Sequence, residues 1–128
     1  MSDQEHAEEI LEAARRDHTA LRAMHDVEAF PDEIFGFHAQ QAVEKALKAW
    51  LAARGQRFPK THDLKQLVDL LSTLGVDVEG MASFVDLNAF AVQYRYESLY
   101  HDEEAVDRPE LIDRIEALIR RVATAINS

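Results

Sequence analysis

Apolar residues recur along this chain at the spacing of helices. Ile10, Ala13, Ala14, Leu21 and Met24 return at steps built from threes and fours, which places them on one narrow stripe of a helix over about residues 3–25. One acid, Asp17, interrupts that stripe. Ser2 and Glu5 have the spacing of a capping box and set the start. A second helix runs from Pro31 to about Arg54. Its seam is Phe35, Ala39, Ala42, Val43, Ala46, Leu47 and Trp50. Pro31 presets the first turn, Asp32 and Glu33 favour it electrostatically, and Gly55 is a natural left-handed stop. Gln56 to Thr61 reads as a loop around Pro59.

Asp63 with Gln66 is the next cap signature, opening a shorter helix that ends before Gly75. After a turn over Val76 to Gly80, a fourth helix occupies about 81–97, with Phe84, Leu87, Ala91 and Tyr94 on one side. A loop from Leu99 to Val106 leads to Asp107, Pro109 and Glu110, which start the last helix. There Leu111, Ile115, Leu118, Ile119, Val122 and Ile126 form a clean stripe. No segment alternates with period two for long enough to argue a strand. The pattern predicts an all-α, up-and-down antiparallel bundle of four to five helices, with residues 1–128 as a single domain.

Composition agrees and narrows the chemistry. With 128 residues, 47% apolar and 30% charged, the chain has the balance of one folded domain. Four glycines and three prolines are few, so the elements are few and long. No apolar run approaches the roughly 20 residues of a membrane helix. The first residues lack a basic and then apolar leader, so a cytoplasmic location without membrane association is expected. The absence of Cys removes disulfides, thiolate nucleophiles and Cys-based zinc sites. Net charge is −10, which opposes general attraction to a phosphate backbone. The charge is uneven, however. Residues 1–33 carry −7, residues 34–65 carry +4 and the remainder carries −7. A local basic region therefore persists inside an acidic protein.

Two stretches of the second helix and the loop after it are distinctive. Phe37-His38-Ala39-Gln40-Gln41-Ala42-Val43-Glu44-Lys45-Ala46-Leu47-Lys48-Ala49 is followed by Phe58-Pro59-Lys60-Thr61-His62-Asp63-Leu64. In that order and spacing they closely resemble the HEPN family, the higher eukaryotes and prokaryotes nucleotide-binding domains. Gln93-Tyr94-Arg95-Tyr96 is similar to the end of a helix in many bacterial members. The resemblance implies a compact bundle that often forms a homodimer and is often encoded beside a minimal nucleotidyltransferase, as in toxin–antitoxin pairs. Some members are metal-independent ribonucleases with an Arg-(four to six residues)-His motif, whereas others lack it and act as binding or scaffolding modules. No cofactor is implied.

Arg95 and His101, with five residues between them, fit that motif. A histidine can move a proton at a ribose 2′-hydroxyl while an arginine neutralises the phosphate. Six steps along a straight helix is roughly 600°, so the helix must end between them or two subunits must each donate one. Asp102, Glu103 and Glu104 directly after the histidine oppose RNA phosphates. The second candidate is the polar flank of the second helix. His38, Gln41, Lys45 and Lys48 share one side with Glu44 beside them, and contact a nucleotide or RNA, form an internal hydrogen-bond network or line a dimer seam. The third is Lys60-Thr61-His62-Asp63: either Thr61 or Asp63 caps the next helix with His62 stacked over the loop, or a phosphate binds at that helix start with Lys60 and His62 nearby and Asp63 competing for the same amides. The six histidines form no pair at bundle-metal spacing, so no metal site is expected.

Overall fold

A computed structural model describes residues 2–91 and 106–128, and it is helical wherever secondary structure occurs, with no strand among the described residues. The elements are α1 (Asp3–Arg22), α2 (Asp32–Ala53), α3 (Leu64–Thr73), α4 (Ala82–Val85), a 3₁₀ turn (Asp86–Phe90) and α5 (Arg108–Ile126). Their starts follow the capping chemistry of the sequence. Ser2 and Glu5 form a reciprocal capping box, Asp63 accepts from the Lys65 amide, and Asp107 accepts from the Glu110 amide. Gly55, at φ 72°, takes the left-handed conformation that ends α2.

The central element is α2. Its seam residues Phe35, Ala39, Ala42, Val43, Ala46, Leu47 and Trp50 are all buried, and so are Gln40, Glu44 and Leu51 on its other sides. A helix covered on several sides must find partners for any polar group it carries inward. Three long helices form the frame. Asp3 reaches Gly55 and Asp17 reaches Lys45, so α1 runs antiparallel to α2. Gln4 donates to the Ile126 carbonyl and His18 to the Ile112 carbonyl, so α1 also runs antiparallel to α5.

The shorter elements fill the remaining side. The loop after Gly55 travels back along α2, and α3 begins where the His62 carbonyl accepts from Gln40. From there α3 ends within reach of Arg54, which donates to the Leu74 carbonyl. The chain then climbs back along α5, held by Arg121 on the Asp77 carbonyl and by Arg114 on Gly80 and Ser83. Arg114 and Arg121 also lie over the rings of Phe84 and Trp50, at 4.7 Å in each case.

Two boundaries differ from the periodicity. The first helix ends at Arg22 rather than near residue 25. Among the described residues the fourth is α-helical over Ala82–Val85 and tightens to 3₁₀ over Asp86–Phe90. There Asn88 turns to accept from the Leu64 amide and donate to Asp63, and Phe90 packs on Gly36. Residues 92–105, the rest of that expected helix and its loop, lie outside the described residues.

Candidate functional site

The polar flank of α2 divides into two clusters, each centred on a carboxylate. The first involves Asp17, the acid within the apolar stripe of α1. Its Oδ2 accepts from Lys45 Nζ at 2.7 Å and its Oδ1 accepts from His38 Nδ1 at 3.3 Å. One acid thus binds two of the sequence candidates to the neighbouring helix.

Glu44 is the centre of the second cluster and is 5% exposed. Its Oε2 accepts from Lys48 Nζ at 2.8 Å, and its Oε1 accepts from His62 Nδ1 at 3.0 Å and Gln40 Nε2 at 3.1 Å. Gln40, fully buried, also donates to the His62 carbonyl and accepts from Gln41 Nε2 at 2.9 Å. Burial of the Glu44 carboxyl works to raise its pKa, but hydrogen bonds from Lys48, His62 and Gln40 outweigh it, so the pKa lies below the ordinary carboxylate value. The group is therefore an anion at neutral pH.

This network fixes a surface element. The His62 side chain is 71% exposed, yet Nδ1 is tied to a buried anion, which leaves Nε2 as the ring nitrogen available to a ligand. Rather than stacking over its loop, His62 is held on α2. Thr61 accepts from the Asp63 amide and Asp63 from the Lys65 amide, so local caps occupy the start of α3. Lys60 and Arg57 are exposed on the same loop, and Lys65 is paired with Asp69, whose hydrogen bond raises the lysine pKa. Lys48 Nζ also lies 5.6 Å from the centroid of the Phe58 ring.

Of the residues singled out in the sequence, Gln41, Lys48 and His62 belong to the Glu44 cluster and His38 and Lys45 to the Asp17 cluster, while Lys60 stands exposed nearby. Arg95 and His101 lie outside the described residues, as do Tyr94, Tyr96 and Tyr100. Among the described residues no three His, Asp or Glu side chains gather as metal ligands. Sequence reasoning overlooked three supporting residues. Asp17 was visible as a lone acid in an apolar stripe, and Gln40 as an amide beside the core seam. Arg108 gave no signal: 7% exposed, it donates to the Met24 and Phe30 carbonyls and Asp32, with its guanidinium 4.6 Å from the Phe35 ring.

Comparison with known proteins adds one finding. The model of the HEPN domain matches residues 5–125, nearly the whole chain. No curated protein and no solved structure matches it significantly.

Proposed function

The chain belongs to the HEPN domain family, and from that membership we propose that it is an RNA- or nucleotide-binding module whose contact surface is the loop between α2 and α3. The observation that carries this reading is the tie between Glu44 and His62. A buried anion holds an exposed imidazole in one orientation, within the segment of residues 34–65 that carries +4 in an acidic protein. Lys60 and Arg57 beside it are exposed cations with no ion pair among the described residues, whereas Lys45 and Lys48 are committed to Asp17 and Glu44. The polar flank of α2 thus serves as the support of the surface rather than the surface itself. Calorimetric titration with ATP and with a short single-stranded RNA, at low and moderate salt, tests the reading. Binding of at least one is expected, and no heat above dilution with either would overturn it.

A second reading rests on sequence spacing. Arg95 and His101 fit the Arg-x5-His pattern of metal-independent endoribonucleases, with the pair completed across a homodimer. It predicts RNA cleavage that persists in EDTA and is lost in His101→Ala; a wild-type protein inert toward RNA would reject it. In either case the family association suggests a minimal nucleotidyltransferase as partner, in a two-component or toxin–antitoxin arrangement. A purely structural dimerisation module is the reading left if no nucleotide or RNA binds.

A further inference from the structure

The loop that carries His62 also borders a recess at the opposite end of α2, where α1 begins. Its walls are Asp3 and His6 from α1, Ala52 from α2, and Gln56, Arg57 and Phe58 from the loop, enclosing about 400 Å³. The His6 and Phe58 rings are nearly parallel, with planes 7° apart and centroids 6.5 Å apart. That separation is at the far end of the range for rings in direct contact. Both rings border the recess, so each presents a flat wall to a planar ligand held there. We infer that the recess bordered by His6 and Phe58 is a stacking slot for a nucleobase, carried by a free mononucleotide or by one nucleotide of an RNA.

The remaining lining supplies the other groups such a ligand needs. Arg57 is an exposed guanidinium suited to phosphate, and Gln56 can both donate and accept. The Asp3 carboxylate can accept from the exocyclic amino group of a base. Asp3 is held close to the backbone at Gly55: a Cβ built on that residue would meet Asp3 Oδ2 at 3.1 Å. Phe58 is half-buried and packed on the core, so one wall is fixed, whereas His6 is exposed on the first turns of α1. Stacking on such rings tolerates any base, because every base presents a flat face. The slot is continuous with the surface described above, since Phe58 leads to Lys48, Lys48 to Glu44, and Glu44 to His62. It would place a base at one end of a row of polar groups and a phosphate path along the loop.

The inference rests on the nucleotide-binding reading, and its test separates the two. NMR titrations of wild-type protein with AMP and with a five-nucleotide RNA follow the His6 ring protons. A shift of the His6 signals with AMP assigns the slot to free nucleotide, and a shift with RNA alone assigns it to a base within a strand. His6→Ala should weaken that binding about tenfold, and His6→Phe, which keeps a flat wall, should restore it. His6 is exposed, so neither change threatens the fold, and unchanged melting temperatures would verify this. RNA binding with silent His6 signals, or equal affinity in His6→Ala, would overturn the slot and leave the loop surface standing. Absence of binding by either ligand would overturn both.

Discussion

Glu44 shows most directly how one residue can set both stability and surface. Truncating it would leave the Lys48 ammonium, 15% exposed, and the buried Gln40 amide without their acceptor. Glu44→Ala should therefore cost about 3 kcal/mol in urea denaturation, the range found when one member of a buried pair is removed. The native carboxyl has a pKa below its ordinary value of 4.5, so its contribution to stability is fully present above that pH. It is lost as pH falls through the lower native value. The gap in stability between wild type and Glu44→Ala should accordingly narrow in acid below about pH 4.5; a gap independent of pH in acid would exclude the carboxylate as its source. Half of this arrangement was legible in sequence. The Glu44–Lys48 pair follows from i,i+4 spacing, whereas His62 is eighteen residues further on and arrives only because the loop doubles back along α2.

Elements were legible where local chemistry dictates them and obscure where a distant contact intervenes. The caps at Ser2, Asp63 and Asp107 and the stripe of α5 are all local, and each was readable. The tightening of the fourth helix to 3₁₀ was not, because Asn88 and Phe90 serve neighbours far away in sequence. Gly36 is the counterpart of that exception. A Cβ there would lie 2.4 Å from the Phe90 ring, so the glycine in the second turn of α2 admits the ring. Gly36→Ala should lower stability by about 1 kcal/mol, since a crowding cost of about 2 kcal/mol exceeds the roughly 1 kcal/mol of helix propensity gained. Combining it with Phe90→Ala should cancel the crowding, and a double-mutant cycle in thermal melts measures this; simple additivity would contradict the contact. Arg108 fastens the α1–α2 connection to the start of α5. Arg108→Met keeps the aliphatic bulk but strands the Met24 and Phe30 carbonyls, and should cost about 3 kcal/mol in the same assay.

At the scale of the whole molecule, an acidic protein that binds RNA must do so through a small cationic area. Arg57, Lys60 and His62 lie within a segment of charge +4 flanked by segments of −7 on each side. Neutralising two or three phosphates should give a shallow salt dependence, with log affinity falling about 2 units per tenfold rise in salt. A slope several times steeper would point to a broad basic face that this charge distribution does not provide. The all-helical fold and the family were legible because helical periodicity and the His38–Lys48 and Lys60–Asp63 stretches extend over contiguous sequence. The division of the α2 flank between Asp17 and Glu44 was not, because both acids act across helix packing that no local spacing encodes.

The account stands or falls on whether the loop held by Glu44 is where RNA is bound. Fluorescence anisotropy with a labelled single-stranded RNA, comparing wild type with the Lys60→Ala/His62→Ala double variant, measures this directly; the variant loses one donor to the buried Glu44 and should melt somewhat lower, so the comparison is made at a temperature where both proteins are folded. The expected result is binding by the wild type and a loss of at least about tenfold in the variant. Equal affinity in the two proteins, with both folded, would contradict it.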